Sequence, residues 1–137
     1  MAFNLKAGRV KNVYLPVTPS TALAKDSLVT FTSGKLVAAT AGTTAANLAG
    51  VLVKAITSAD SDYAQDRLVA VQTPVEKNCV YEADVTSGLV AADVGLYVDL
   101  TDASTINRGA SSIDAARCVG VISSTKGLFH IAVNGAF

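Results

Sequence analysis

Two short apolar runs, each containing one glycine, constrain this chain more than any other feature. The first run is residues 48–56 (LAGVLVKAI) and the second is residues 117–124 (RCVGVISS), so Gly50 and Gly120 mark the repeat. Each run follows two strand-like segments that are joined by a polar turn. These segments are residues 27–32 and 35–39 before the first run, and residues 95–100 and 104–109 before the second run. This arrangement predicts two copies of one hairpin-plus-strand unit, a degenerate internal duplication.

Turn residues recur along the whole chain at roughly 8-to-12-residue spacing, and about ten short strand patterns lie between them. Ser33-Gly34 separates two apolar segments as a tight hairpin. Residues 79–85 alternate, which places Cys79, Tyr81, Ala83 and Val85 on the inward face. Only a short helical turn is expected, at residues 112–116, and the last strand is predicted at residues 128–133. The pattern favours an all-β fold, a small β-barrel or sandwich.

Residues 1–20 differ from the rest because their positive charges have no acidic partner before Asp26 and because Pro16 and Pro19 exclude a helix. We therefore expect an extended N-terminal arm, followed by a single β domain at residues 21–137. The arm either pairs with another subunit by strand addition or folds back on its own domain as an edge strand. Its candidate contact residues for a partner protein or a sister subunit are Phe3, Leu5, Arg9, Val10, Val13, Tyr14 and Leu15.

The charge balance and the apolar composition restrict the possible partners. The 137 residues suit one domain, and the formal net charge is zero, so the chain lacks the basic stripe that nucleic acids require. No apolar run approaches the roughly 18 to 20 residues of a membrane helix, and no secretory signal is evident, so we expect synthesis in the cytoplasm of a host cell. Only 16% of the residues are charged, which predicts that a protein partner covers part of the surface.

The residues that most often carry chemistry form no catalytic motif in this sequence. His130 is the single histidine, and we interpret it as a structural or surface residue, since no motif pairs it with Cys79 or Cys118. The two cysteines are interpreted as buried reduced thiols, with a bridge between them as the alternative. The prediction is a protein that is not an enzyme.

An acidic loop carries Asp60, Asp62 and Asp66, which alternate as ligands of a hard cation sometimes do. The loop lacks the glycine and the distal glutamate of an EF-hand, so a solvated loop is favoured over a calcium site. No glycine-rich phosphate loop is present, and the Cys and His residues are too few for a zinc site. We therefore predict no cofactor and no metal.

The order of these segments resembles the small capsid decoration (cement) proteins of tailed bacteriophages. In that family a Gly-Asp-x-Val step opens a unit and an x-Gly-Val strand closes it. The first unit here lacks the opening glycine, and in the second the order is disturbed. The similarity spans roughly residues 25 to 137 and is carried by Lys25-Asp26-Ser27-Leu28-Val29, Gly34-Lys35-Leu36-Val37, Ala49-Gly50-Val51-Leu52, Asp93-Val94-Gly95-Leu96-Tyr97-Val98-Asp99, Val119-Gly120-Val121-Ile122 and Ile131-Ala132-Val133-Asn134-Gly135.

The resemblance implies a structural virion protein that binds the outer surface of a phage head and stabilises contacts between major capsid proteins. It implies the major capsid protein as partner and a homo-oligomer, with a trimer favoured. Neither nucleic acid nor membrane is expected as a partner. Two structural alternatives are the base of a head fibre and a component of the tail tube. A third alternative is a carbohydrate-binding β-module, which would present exposed aromatic side chains in a cleft.

Overall fold

A computed structural model describes residues 3–44, 47–76, 78–86 and 88–131. Within these ranges the chain forms eleven strands and one 3-10 turn, Ala91–Asp93, and no helix there is long and apolar enough to cross a bilayer. The strands are β1 (Phe3–Ala7), β2 (Val10–Val17), β3 (Leu28–Thr32), β4 (Lys35–Ala38), β5 (Leu48–Leu52), β6 (Arg67–Pro74), β7 (Val80–Val85), β8 (Tyr97–Asp102), β9 (Thr105–Asn107), β10 (Ala116–Ser123) and β11 (Lys126–Ile131). The all-β prediction is confirmed.

The first half of the chain closes into a five-stranded barrel in the order β2-β4-β3-β5-β6, with β6 returning to β2. All neighbours are antiparallel except β2 and β4, which meet in parallel at Val17 and Leu36. The hairpin predicted at Ser33-Gly34 is present, and both turn residues have positive φ, as a tight two-residue turn between twisted strands requires. The barrel is filled by small and branched apolar side chains, which include Val29, Leu52 and Val71.

The second half repeats this arrangement in the order β7-β9-β8-β10-β11, and β11 returns to β7. Again one pair is parallel, β7 with β9, and the others are antiparallel. The predicted alternation in β7 is confirmed, since Tyr81, Ala83 and Val85 are buried between half-buried neighbours. The internal duplication predicted from the sequence is therefore present as two barrels with the same strand order and the same strand directions.

The register of the duplication differs from the one that the glycines suggest. Leu52 pairs with Val71 in the first barrel, and Cys118 pairs with Phe129 in the second, at equivalent inward positions. Counting back along both strands makes Gly50 equivalent to Ala116, whereas Gly120 lies farther along β10. The two glycines serve different contacts, because a side chain at Gly50 would strike the Gln72 carbonyl oxygen on β6, and one at Gly120 would meet Leu128.

The segment predicted as an arm is extended, but it belongs to the body. β1 pairs with β7 from Phe3 opposite Ala83, and β2 pairs with β6 along its whole length. The two antiparallel ladders follow one another along the chain, with β2 and β6 in the first barrel and β1 added to β7 of the second. The expectation that this segment lies outside the core is wrong. The alternative of an edge strand folded back on its own domain fits β1, whereas β2 is closed into the first barrel between β4 and β6. The physical reason is that β2 supplies Leu15 and Val17 to the first barrel's interior.

The two barrels join through a shared apolar cluster and a few polar contacts. Leu28 of the first barrel belongs to the same buried cluster as Val98 of the second, and Phe3 of β1 is buried with them. The Leu28 N–H donates to the Ala103 carbonyl oxygen at 2.8 Å. A short β-bridge joins Thr40 to Asp102.

Two local predictions near the C-terminus need separate comment. The helical turn predicted at residues 112–116 is wrong, because the Asp99 carboxylate accepts the N–H groups of Ser112, Ile113 and Asp114, so these donors bond to a side chain instead of to helix carbonyls. The last strand ends at Ile131 in the described residues, and the predicted continuation to Val133 lies outside them.

Candidate interaction surfaces

The largest exposed apolar side chains of the first barrel lie together on the outer face of β2 and β6. Tyr14 is 65% exposed and Leu68 is 62% exposed. They share one face because Tyr14 lies opposite Ala70 and Pro16 lies opposite Leu68 in the ladder. We call this surface, made of Tyr14, Pro16, Leu68 and Ala70, the β2–β6 face.

The seven predicted contact residues separate into buried and exposed groups. Phe3 and Leu15 are buried inside the protein, so the prediction that they contact a partner is wrong for these two. Leu5, Val10 and Val13 are partly buried against the two apolar clusters.

Two residues of the set remain well exposed. Arg9 donates to Glu76 at 2.8 Å, and this bond lowers the pKa of the Glu76 carboxyl. Tyr14 has no such partner among the described residues and lies at the centre of the β2–β6 face. Of the predicted set, Tyr14 therefore offers the most apolar surface to a partner.

The second barrel carries a cleft of about 370 Å³ at the start of β8. We call it the Tyr97 cleft, since the half-exposed Tyr97 ring forms one wall. The Arg117 guanidinium lies 5.5 Å from the centre of that ring, and its Nε donates to the Gly95 carbonyl oxygen. The cleft is lined by Asp93, Leu96, Tyr97, Val98, Arg108, Gly109, Ala110, Ser111 and Asp114.

Arg108, the arginine that lines the cleft, is held by a carboxylate. Arg108 donates from Nε and Nη2 to the two oxygens of Asp93 at 3.0 and 3.3 Å. The Val90 N–H also donates to Asp93 at 2.9 Å. These bonds, that of Arg108 foremost, hold the pKa of Asp93 below its ordinary value. Arg108 is therefore a fixed wall of the cleft, whereas Arg117 and Asp114 are in no ion pair within the described part of the chain.

The residues considered for catalysis do not converge. His130 lies on β11 between Val80 and Arg117 of the neighbouring strands. Cys79 and Cys118 are free buried thiols that donate to backbone oxygens of Arg9 and Gly120, and burial raises the pKa of Cys118. No hydrogen bond among the described residues joins the imidazole to either thiol.

The acidic loop is held by nearby basic side chains. Asp60 and Asp62 pair with Arg67, and Asp66 pairs with Lys35. The pKa of Asp60 is lowered, first by the Thr57 N–H that it accepts. Within the ranges that the structure describes, no three His, Cys, Asp or Glu side chains lie close enough together to hold a metal ion.

No protein-family model matches the chain, and no curated protein matches it.

The Tyr97 cleft was not predicted from the sequence, although a signal for it exists. Leu96, Tyr97 and Val98 are consecutive large apolar residues, and successive residues of a strand face opposite sides. One face of this segment must therefore present apolar side chains away from the barrel interior. Val98 faces inward, whereas Tyr97 and the preceding Leu96 are both about half exposed.

Proposed function

We propose that this chain is a structural virion protein that binds the outer surface of a phage head and stabilises contacts between major capsid proteins. The observation that carries the proposal is the β2–β6 face, on which Tyr14 and Leu68 project from a closed barrel. Large apolar side chains in a neighbouring pair on a soluble surface are typical of a protein–protein contact. Tyrosine in particular is enriched at such contacts.

The architecture supports an adhesive role. Both barrels are closed and share one buried cluster, so a contact on one barrel restrains the other. A protein that joins capsid subunits needs many modest contacts repeated by symmetry, and each copy can then bury a small area. The neutral net charge avoids repulsion between the many copies that a head would carry.

The proposed partner is the major capsid protein, and the proposed location is the outer capsid surface of the virion. A homo-oligomer, with a trimer favoured, is part of the proposal. The protein is proposed to act without catalysing a reaction.

The test is co-sedimentation of the purified chain with heads of the phage that encodes it, after the native copies have been removed. We expect saturable binding, and we expect Leu68→Ser to weaken it about ten-fold or more, because the lost apolar burial is about 1.5 to 3 kcal/mol. Ile122→Ser is the matched control, since Ile122 is similarly exposed on the second barrel. Failure of the wild type to bind, or equal effects of the two substitutions, would contradict the proposal.

A further inference from the structure

The duplication makes the surface around Tyr97 on the second barrel equivalent to the surface around Leu28 on the first barrel, which is covered. Leu28 lies opposite Val51 on the first barrel, and Tyr97 lies opposite Arg117 on the second, at equivalent steps of the ladder. The backbone bonds agree, since Leu52 N–H donates to the Ser27 oxygen and Cys118 N–H donates to the Leu96 oxygen.

The polar residues two positions after Leu28 and Tyr97 on the same strands are equivalent as well. Thr30 lies opposite Val37, and Asp99 lies opposite Asn107. Thr30 donates its hydroxyl to the Asn47 oxygen, and Asp99 accepts from Ile113 at the equivalent place. The face around Leu28 and the face around Tyr97 are therefore two versions of one surface.

In the first barrel this surface is buried. Leu28, Leu48 and Val51 belong to the cluster that joins the two barrels. The Leu28 N–H points away from β5 and donates to the oxygen of Ala103, which lies in the turn between β8 and β9. A turn of the neighbouring barrel therefore covers this surface.

In the second barrel the same surface is open. Tyr97 is 52% exposed, whereas Leu28 is fully buried. The Tyr97 N–H points away from β10, since Cys118 N–H bonds to the Leu96 oxygen beside it, and no loop oxygen of the described residues accepts the Tyr97 N–H. Arg117 and Asp114, at the positions of Val51 and Leu48, are exposed and in no ion pair there.

The equivalent turn of the first barrel is also free. Ser33 and Gly34 join β3 to β4, as Ala103 and Ser104 join β8 to β9. Both turn residues of the first barrel are exposed, and Lys35 and Asp66 form an exposed ion pair beside them. This turn offers one positive and one negative group. Asp114 lines the Tyr97 cleft and Arg117 lies beside it against the Tyr97 ring, and neither is in an ion pair among the described residues.

We infer that the Tyr97 cleft receives the β3–β4 turn of a second copy of this chain. In this contact Tyr97 N–H donates to a backbone oxygen of the Ser33-Gly34 turn, as Leu28 N–H donates to Ala103. The ring of Tyr97 is covered, and the charges of Arg117 and Asp114 meet those of Asp66 and Lys35. The contact between copies thereby repeats the contact between barrels within one copy.

Such a contact is head to tail, because the cleft and the turn are different surfaces of each copy. A heterologous contact of this kind closes into a ring when its rotation allows. Three copies would then arrange six barrels around one axis. The inference specifies the homo-oligomer of the proposed function and rests on the strand pairing, the burial of Leu28 and the exposure of Tyr97. Its test uses purified protein without heads, so it can fail or succeed independently of capsid binding.

The first experiment is sedimentation equilibrium over a range of concentrations. We expect the wild type to self-associate and Tyr97→Ser to raise the dissociation constant about ten-fold or more, as for a tyrosine at the centre of an interface. Ile122→Ser, which changes an equally exposed apolar side chain of the same barrel outside the cleft, should leave the association unchanged. A wild type that stays monomeric, or equal effects of the two substitutions, would overturn the inference.

The second experiment establishes which surfaces meet. Ser33→Cys and Ser111→Cys are prepared as separate proteins, mixed, and treated with a short bis-maleimide. Both serines are exposed, and the native cysteines are buried and protected. We expect crosslinked dimers in the mixture and little product from either protein alone.

Ser58→Cys replaces Ser33→Cys in the control mixture, because Ser58 is exposed on the first barrel outside this turn. Crosslinking of Ser111→Cys with itself would show that two clefts face each other and would overturn the head-to-tail contact. Equal crosslinking in the control mixture would overturn it as well.

Discussion

The Tyr81 hydroxyl donates a 3.0 Å hydrogen bond to Gln72 Oε1 and so joins β7 of the second barrel to β6 of the first. Tyr81 is fully buried, and this burial raises the pKa of its phenol, so the donor keeps its proton at neutral pH. Tyr81→Phe should lower the free energy of unfolding by about 1 kcal/mol, since one buried hydrogen bond is lost. Urea denaturation measures this change. The exposed Tyr14→Phe should change it by less than about 0.5 kcal/mol, and similar losses in both would contradict the role of the bond.

Leu28 and Tyr97 occupy equivalent positions in the two barrels, but Leu28 is buried and Tyr97 is half exposed. Leu28→Ala should cost about 2 to 5 kcal/mol, because it leaves a cavity where the barrels meet. Tyr97→Ala should cost less than about 1 kcal/mol in the monomer, because half of that side chain already faces solvent. Urea denaturation at low protein concentration measures both. Equal costs would show that the two positions do not differ in burial as described.

Gly50 has φ +143°, and a side chain there would lie 2.3 Å from the Gln72 carbonyl oxygen. Gly50→Ala should therefore destabilise the protein by about 1 to 3 kcal/mol, the usual cost of forcing extra atoms into a packed site. Gly42→Ala is the matched control, since nothing lies within 4 Å of the added carbon and its φ is not positive. Thermal unfolding of the two variants measures the difference. A stable Gly50→Ala would mean that β5 and β6 are not in such close contact.

Asp99 fastens the loop before β10 to the second barrel. Its carboxylate accepts the N–H groups of Ser112, Ile113 and Asp114 and the Ser112 hydroxyl. Asp99→Asn should lower the free energy of unfolding by about 1 to 3 kcal/mol, because hydrogen bonds to a charged group are lost. Asp66→Asn should cost less than about 1 kcal/mol, since its ion pair is exposed.

The same carboxylate predicts the direction of a pH dependence. Burial by itself raises the pKa of Asp99, but its hydrogen bonds lower the pKa by more, so the folded-state value lies below the ordinary one. The stabilisation is therefore present above the unfolded-state pKa of about 3.9 and is lost as the pH falls through the folded-state value. Wild-type stability should decline more steeply than that of Asp99→Asn below about pH 4. Urea titrations at several pH values measure both slopes, and parallel slopes would contradict this assignment.

The duplicated hairpin-plus-strand unit could be predicted from the sequence because it depends on local patterns. Alternation in residues 79–85 predicts which side chains face inward. Ser33-Gly34 predicts that the two flanking strands form a hairpin, whatever the position of that hairpin in the fold. The equivalence of Gly50 and Ala116 could not be predicted in this way. It depends on which residues of β6 and β11 lie opposite them, and that is a property of barrel closure between distant segments.

The two interaction surfaces illustrate the same limit. The seven candidate residues of the N-terminal segment include Tyr14 of the β2–β6 face, but apolar character alone cannot separate it from the buried Leu15. The Tyr97 cleft was missed because its walls come from β8 and from the loops after the 3-10 turn and after β9. Alternation within one strand predicts which side chains face the barrel interior and which face outward. It does not predict whether the other barrel covers the outward side chains.

The ladder that pairs Phe3 with Ala83 also determines the order in which the chain can fold during synthesis. β1 is synthesised before the strands of the first barrel, and its pairing partner β7 is synthesised only after all of them. While the first barrel closes, the nascent chain therefore carries β1 without its pairing partner. β1 pairs with β7 only when the second barrel forms.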